Sequence, residues 1–319
     1  GWFRIVPRWL GSKKPADRLA RAAEFADFIV SLVQEAGRDG APVSAVLLPE
    51  AALDETFFST LFDALLRRCP EIETLVAGTS EMPVGGKVRH GNFVAQGVFV
   101  TSDGKRQGVR TIREKHHRWR LERSQIELYQ LGGRLNPGTL WWEGIDITSR
   151  SLDVIAFRPN ATMTTLICED LARVDPCQGA VRAIGPTLLV ALLMDGSQLG
   201  FRWPGRYATV LAEDPGCSVL SLTSLGLINR SRLPDGSKPK WSVALWRDDY
   251  NSPTEILLQP GHHAVCITAS PVWRTECTLD GRQDEGQALA WQLQIDGIDK
   301  PRSVKAPGSP AKWIIDGTT

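Results

Sequence analysis

Residues 162–170 constrain the fold of this chain more than any other stretch. They begin as a β-branched and apolar run and end abruptly in Cys168, which is followed by Glu169 and Asp170. Such a run predicts a buried strand, and open α/β sheets bind their ligands beyond the carboxyl ends of their strands. An isolated cysteine is more often an inert core residue than a nucleophile. The meaning of Cys168 therefore depends on what the chain places beside it.

The composition allows a soluble α/β protein and excludes several classes of partner. The chain has 319 residues, of which 23% are charged and 42% hydrophobic, which is ordinary for a globular protein. A net charge of +1 gives no bulk electrostatic basis for binding nucleic acid or a membrane surface. Apolar runs all fall short of the roughly 20 residues that a membrane helix needs, and no signal peptide is visible. The chain starts at Gly1 and not at Met, which suggests a trimmed tag or an excised domain.

The six cysteines are scattered and contain no CxxC pair. They are interpreted as reduced thiols of a cytoplasmic protein. Cys177 and Cys217 are expected in the core, and no cofactor is expected.

Strands alternate with helices along the chain, which predicts an α/β fold with some antiparallel hairpins. Helical spacing covers residues 15–37, 55–68, 119–131 and 203–212, and apolar strand-like runs cover residues 43–48, 72–77, 154–157, 162–167, 187–193, 219–223 and 289–295. A turn at residues 102–104 between two further runs predicts a hairpin. Residues 232–240 are expected to form an exposed loop. Residues 1–298 are expected to form one domain, and residues 299–319 a C-terminal tail.

Three polar residues stand at the tips of predicted strands: Glu50, Lys115 and Cys168. Strand tips of one sheet can converge on one cleft while each side chain is held by a rigid element. The three residue types are chemically compatible, because a thiolate is a nucleophile that a neighbouring base or cation helps to form. A carboxylate can take the thiol proton and later activate water, and a lysine can stabilise an oxyanion. The sequence therefore predicts a cysteine-dependent catalytic site.

Three segments in this order resemble the nitrilase, or carbon–nitrogen hydrolase, superfamily: Leu47-Leu48-Pro49-Glu50, Arg113-Glu114-Lys115-His116 and Leu166-Ile167-Cys168-Glu169-Asp170. Residues 77–79, 92–104, 185–194 and 259–261 add support, so the resemblance covers most of residues 3–270. It implies a four-layer αββα sandwich with mixed sheets, usually assembled as a homodimer through helices. It also implies that Cys168 is the nucleophile, Glu50 the general base and Lys115 the oxyanion stabiliser. The backbone N–H of Glu169 would be an oxyanion donor.

The resemblance implies a second glutamate after the lysine. Glu122 has the better spacing from Lys115, and Glu127 is the competitor. Asp195 follows a predicted strand and is a candidate for lining the cleft, with an ordinary turn as the equal alternative. The lysine is preceded by Arg113-Glu114 where an aromatic residue is common, and the residues after Cys168 also depart from the usual pattern. The substrate therefore cannot be taken from a known subfamily.

His116 and His117 do not predict a metal site. Adjacent residues of a strand point to opposite faces, and no cysteine or histidine stands at ligand spacing from them. The basic and aromatic residues 117–123 are interpreted as a solvated helix face or a pocket rim, and not as a nucleic-acid contact.

The leading prediction is an amidase that hydrolyses non-peptide C–N bonds of a small molecule through a thioester. The alternative is a nitrilase-like module within a longer polypeptide, since such domains occur fused to glutamine-dependent synthetases and to some bacterial defence-associated reverse transcriptases. A third hypothesis is acyl transfer to an amine through the same thioester.

Overall fold

The structure is a computed structural model that describes residues 1–11, 14–38, 42–231, 237–275, 289–295 and 300–316. Part of the predicted loop at 232–240 and the predicted domain boundary after residue 298 lie outside these ranges, as does Cys277. The other five cysteines are free thiols.

Helices and strands alternate along the described residues, as predicted. The helices are α1 (Pro15–Ala36), α2 (Glu55–Arg68), α3 (Arg123–Leu128), α4 (Glu169–Ala172), α5 (Gly179–Ile184), α6 (Trp203–Glu213), α7 (Leu225–Arg230) and α8 (Lys312–Asp316). The strands are β1 (Trp2–Phe3), β2 (Ala45–Leu53), β3 (Thr74–Val84), β4 (Lys87–Ser102), β5 (Lys105–Glu114), β6 (Arg120–Leu121), β7 (Trp141–Glu143), β8 (Val154–Arg158), β9 (Ala161–Ile167), β10 (Leu188–Leu193), β11 (Ser218–Thr223), β12 (Ser242–Arg247), β13 (Thr254–Leu257), β14 (Ala264–Cys266), β15 (Ala269–Thr275), β16 (Leu289–Ile295) and β17 (Arg302–Val304).

The first sheet has the order β2-β3-β4-β5. Strands β2 and β3 are parallel, and the other neighbours are antiparallel. The predicted hairpin joins β4 to β5 through Asp103 and Gly104, whose φ angles are 52° and 71°. Two successive residues with positive φ match the right-handed twist of the strands, so this turn fixes the register of the strand that ends beside Lys115.

Helices α1 and α2 cover the outer face of the first sheet. Asp54 starts α2 by accepting a hydrogen bond from the Phe57 backbone N–H at 3.0 Å, a favourable helix cap. Phe57, Phe58 and Leu61 are fully buried in the core between the helices and the sheet. The amphipathic spacing of α2 therefore produces the outer helical layer.

The second sheet has the order β13-β12-β11-β10-β9-β8, with β9, β10 and β11 parallel. Its core includes Leu171, Val181 and Leu211 from helices α4, α5 and α6. The same core includes Val76 and Val94 from the first sheet, so the two sheets pack face to face. The order of layers is helices, sheet, sheet, helices, and the predicted αββα sandwich is confirmed.

Polar side chains also bridge the two sheets. The buried guanidinium of Arg113 on β5 donates to the backbone carbonyl of Thr165 on β9. Gln96 on β4 donates to the Asp153 carboxylate at 3.1 Å. Hydrogen bonds of this kind between buried groups are directional, unlike apolar packing. They fix the position of the lysine-bearing strand relative to the strand that ends in Cys168.

The helix predicted at residues 119–131 is wrong in extent. It begins only at Arg123, because Arg120 and Leu121 pair with Trp142 and Trp141 of β7. A short sheet of β1, β7 and β6 replaces the first helical turn.

Part of the predicted C-terminal tail pairs with and packs against the preceding chain. Strand β17 pairs with β14, and Val304 and Ala306 are buried in the core of the outer helical layer. The indole N–H of Trp313 donates to Glu24 on α1 at 2.8 Å. Val304 and Ala306 lie in the same core as apolar residues of α1 and α2, so residues 302–306 pack against this helical layer.

Among the described residues, no helix is both long and apolar enough to cross a membrane.

Replacing Val304 with Ala should lower the free energy of unfolding by about 2 kcal/mol, because two buried methyl groups are lost and a cavity is left. Urea denaturation measures this loss. Lys305→Ala is the matched control, since Lys305 is the exposed neighbour. Equal and small effects of the two substitutions would contradict the packing of this segment against the domain.

Candidate active site

Cys168 occupies a sharp turn between β9 and α4. Its φ and ψ angles are 43° and −103°, a conformation that residues with a side chain rarely adopt. Its backbone N–H donates to the Leu192 carbonyl at 2.9 Å, which ties the turn to β10. Backbone strain of this type persists where the surrounding structure enforces it, often at functional sites. The turn places the thiol at the carboxyl edge of the second sheet.

Lys115 follows the end of β5, and its ammonium group is fully buried. Nζ lies 3.2 Å from Oε1 of Glu50 and 2.9 Å from Oε2 of Glu143. The Lys115 backbone N–H donates to the Asn92 carbonyl at 2.8 Å. A buried cation is tolerated only when charged partners and hydrogen bonds replace water. The two carboxylates therefore hold the ammonium group in place.

Asn92 joins the two carboxylates. Its side-chain amide donates to Oε1 of Glu50 and to Oε1 of Glu143, both at 2.6 Å. Oε2 of Glu143 also accepts the Trp119 backbone N–H at 2.9 Å. Oε2 of Glu50 is buried and has no hydrogen-bond partner among the described residues. Glu143 is thus fully engaged as a support, whereas Glu50 keeps one oxygen available.

The cluster holds two carboxylates against one ammonium group, and this imbalance shifts pKa values. Burial raises the pKa of Glu50, Lys115 opposes that shift, and Glu143 reinforces it. The pKa of Lys115 lies well above its usual value, because the charges of Glu143 and Glu50 outweigh the effect of burial. A carboxylate with a raised pKa binds a proton more readily, which suits a general base near neutral pH.

The charges of Glu50 and Lys115 also act on the pKa of the Cys168 thiol. Burial raises its pKa well above the usual value, and the negative charge of Glu50 adds to this effect. Lys115 and a backbone hydrogen bond from Met194 act in the opposite direction. A thiol with a raised pKa keeps its proton in the resting protein, so it needs a base to remove that proton when it reacts.

Asp170 connects the cysteine turn to the lysine. Its buried carboxylate accepts the backbone N–H groups of His116 and His117 at 3.1 and 2.9 Å. The His117 ring and the Arg113 guanidinium lie beside it, and these contacts lower the pKa of Asp170 despite its burial. The residues that follow Lys115 are therefore anchored to the first turn after Cys168.

The structure brings metal-binding residue types together at this anchor, which sequence spacing did not predict. One ligand atom each of His116, Asp170 and Cys177 lie within 4.8 Å of one another, a group able to hold a metal ion. Each of these groups has protein partners. His116 contacts the Cys177 sulfur at 2.9 Å and the Ser151 carbonyl at 2.6 Å. These contacts explain why His116, Asp170 and Cys177 lie close together: the three side chains belong to one hydrogen-bonded network.

The structure does not bring Glu122 or Glu127 into the cluster. Glu122 precedes α3, pairs with Arg120 and is about half exposed. Glu127 is exposed and lies 4.0 Å from Arg123. Glu143 holds the second position beside Lys115, and spacing from the lysine missed it. It ends a short strand, just as Glu50 follows an apolar strand-like run, and that likeness is the signal that could have identified it.

Cys168 lines a cavity of about 300 Å³ at this edge of the sheet. Glu169 and Asp195, the other two predicted site residues, line the same cavity. The backbone N–H of Glu169 starts helix α4, so it has no partner in the preceding turn of helix. Asp195 follows β10 and is 2% exposed. A small molecule in this cavity would lie against Cys168, which is itself 4% exposed.

Gly78 on β3 makes the position of Glu50 possible. A Cβ atom at residue 78 would lie 2.5 Å from Cα of Glu50 and 2.6 Å from the Pro49 carbonyl oxygen. These are backbone atoms, which cannot turn aside as a flexible side chain can. The absence of a side chain at this position lets β3 approach the chain at Glu50.

No family model and no curated protein matches the sequence. Solved structures are similar. A glutamine-dependent NAD⁺ synthetase from Acinetobacter baumannii has 10% identity over 72% of this chain and 39% of its own, with a TM-score of 0.43. Nit3 of Saccharomyces cerevisiae, a member of branch 10 of the nitrilase superfamily, has 14% identity over 76% and 80%, with a TM-score of 0.43. The C. elegans NitFhit protein has 14% identity over 79% and 55%, with a TM-score of 0.42.

The αββα order of layers follows from the sheets and cores of this structure. This chain spans 39% of the NAD⁺ synthetase and 55% of NitFhit, which is less than two thirds of either protein. At identities of 10 to 14%, these similarities do not define the chemistry, which depends on the side chains of the site itself.

Replacing Gly78 with Ala should displace Glu50 and increase the rate at which iodoacetamide alkylates Cys168, because the new Cβ forces the chain at Glu50 away and the negative charge that raises the pKa of the thiol is removed. The increase should be severalfold, because the thiolate is the species that reacts. Peptide mass spectrometry measures alkylation at each cysteine. Gly132→Ala is the control, since a Cβ atom there meets nothing within 4 Å. An unchanged rate in folded Gly78→Ala protein would contradict this account.

Proposed function

We propose that the protein is a cysteine-dependent hydrolase of non-peptide C–N bonds that acts on small amides through a thioester. The observation that carries the proposal is the buried Lys115 held between Glu50 and Glu143, next to a strained cysteine that lines a cavity. A thiol, a carboxylate with a free oxygen and a fixed cation are the groups that acyl transfer requires.

The first half of the reaction forms the thioester. The Cys168 sulfur attacks the amide carbon, and the thiol proton passes to the free Oε2 of Glu50. Negative charge develops on the former carbonyl oxygen, where the Lys115 ammonium and the Glu169 backbone N–H stabilise it. Glu50 then gives its proton to the nitrogen, the C–N bond breaks, and ammonia or an amine leaves.

The second half releases the acid. Glu50 takes a proton from water, and the resulting hydroxide attacks the thioester carbon. The C–S bond breaks, the acid product leaves, and the proton on Glu50 returns to sulfur. Because one carboxylate serves in both halves, its raised pKa allows it to accept and return a proton within one cycle.

Turnover of a panel of small amides should be lost in Cys168→Ala and retained in Cys217→Ala, which changes another buried thiol. Ammonia release measures turnover, and circular dichroism checks folding. Full activity of Cys168→Ala against an accepted amide would exclude the mechanism.

With an activated ester, Glu50→Gln should accumulate a covalent adduct with the mass of the acyl group. Removing the charge of Glu50 lowers the pKa of the Cys168 thiol, and the leaving group of such an ester departs without protonation. The thioester can therefore form without Glu50, but water is no longer activated. Intact-protein mass spectrometry detects the adduct. It should be absent from Cys168→Ala under the same conditions, and an adduct located on another residue would count against Cys168 as the nucleophile.

Glu143→Gln should shift the acidic limb of the pH profile of kcat/KM to lower pH. The charge of Glu143 raises the pKa of Glu50, so removing that charge lowers it, and Glu50 becomes a free base at lower pH. The maximal rate should also fall by about 10²-fold, because Lys115 loses a partner. Glu122→Gln is the control, and it should leave both quantities unchanged. If Glu122→Gln changed the pH profile and the maximal rate and Glu143→Gln changed neither, Glu122 would be the second glutamate.

A further inference from the structure

The charged side chains that line the cavity beside Cys168 are acidic. Its lining residues include two carboxylates, Glu169 and Asp195, and among the described residues they include no lysine, arginine or histidine. Glu169 is already paired with Arg173. Asp195 is 2% exposed, so its carboxylate is the buried acidic group that a ligand would meet.

The two oxygen atoms of Asp195 have very different surroundings. Oδ1 accepts three hydrogen bonds, from the Tyr129 hydroxyl at 2.7 Å, the Gly196 backbone N–H at 2.8 Å and the Arg202 guanidinium at 2.9 Å. Oδ2 is buried and has no hydrogen-bond partner among the described residues. Three donors on one oxygen lock the orientation of the carboxylate. A buried acceptor left without a donor is unfavourable, so a ligand that supplies one is favoured.

Aromatic rings form much of the remaining wall. Trp119 and Tyr129 pack edge to face with their ring centroids 6.0 Å apart, and Trp203 and Tyr207 do the same at 6.2 Å. Aromatic faces attract organic cations, and the attraction is stronger where water is excluded. A carboxylate beside aromatic rings favours an ammonium group over a neutral polar group of the same size.

The geometry points to an amide that carries an ammonium group as the preferred ligand of this cavity, with Oδ2 of Asp195 accepting a hydrogen bond from that group. This assignment rests on the proposed function for the identity of the reacting bond, whereas the recognition of the ammonium group rests on Asp195 and the aromatic wall alone. Arg202 does not occupy the ammonium position, because its guanidinium binds Oδ1 and the Ser197 carbonyl, the latter at 3.1 Å.

The test separates binding from turnover. Cys168→Ala protein is titrated with 3-aminopropanamide, 4-aminobutanamide and 5-aminopentanamide, and with the three amides in which a methyl group replaces the ammonium group. Each pair has the same shape and differs in charge. Isothermal titration calorimetry should show at least tenfold tighter binding of the ammonium form for at least one chain length. In the unsubstituted protein, kcat/KM should show the same preference.

Two further substitutions in the Cys168→Ala background identify the residue responsible. Asp195→Asn should reduce the preference to less than about twofold. Glu127→Gln should retain it, because that carboxylate is exposed, lies beside Arg123 and does not line the cavity. Circular dichroism confirms that both variants are folded.

Several outcomes would overturn the inference. Equal binding of every charged and neutral pair would do so, as would a preference that survives Asp195→Asn or is lost in Glu127→Gln. Tighter binding of matched carboxylate-bearing amides would assign the cavity to Arg202 and not to Asp195. Ammonium preference in binding without turnover of any amide would overturn the proposed function and leave this inference standing.

Discussion

The burial of the Lys115 ammonium group is the constraint on which the rest of the site depends. A cation in the interior must be matched by anions at hydrogen-bond distance. Glu50 and Glu143 supply that match, and Asn92 donates to both carboxylates, so three separate segments of the chain hold the cluster. Each of those segments is positioned in turn by packing outside the site. The absence of a side chain at Gly78 leaves room for the chain at Glu50, and the pairing of β7 with β6 positions Glu143. The hairpin of β4 and β5 positions Asn92 and Lys115.

An excess of one carboxylate in this cluster has a chemical purpose in the proposed reaction. Burial raises the pKa of Glu50 and the charge of Glu143 adds to that shift, while the second oxygen of Glu50 lacks a partner among the described residues. Glu143 has both oxygens engaged and keeps the lysine in position. The two glutamates thereby acquire different roles from different surroundings, although their residue type is the same.

Much of the fold was predictable from sequence, because apolar periodicity and turn residues are local signals. Helix α2 and the hairpin at Asp103-Gly104 are examples. The contact of Glu50 with Lys115 could be anticipated because each residue follows an apolar or hairpin strand signal in the sequence. Glu143 could not be predicted, since its position depends on a three-residue strand that pairs with residues 20 and 22 positions away. The same pairing removed the first turn of the helix expected at residues 119–131. The burial of Val304 could not be predicted either. Its segment is short and has turn-forming neighbours, so the sequence does not indicate which part of the protein it packs against.

The hydrogen bonds that Asp170 accepts from the backbone N–H groups of His116 and His117 have a mechanical consequence. They join the loop that begins at Lys115 to the turn that begins at Cys168, across the boundary between the two sheets. These bonds restrict independent movement of the two segments that carry the Cys168 and Lys115 side chains. In the proposed reaction, the attacking sulfur and the ammonium group would therefore already be aligned before a molecule enters the cavity.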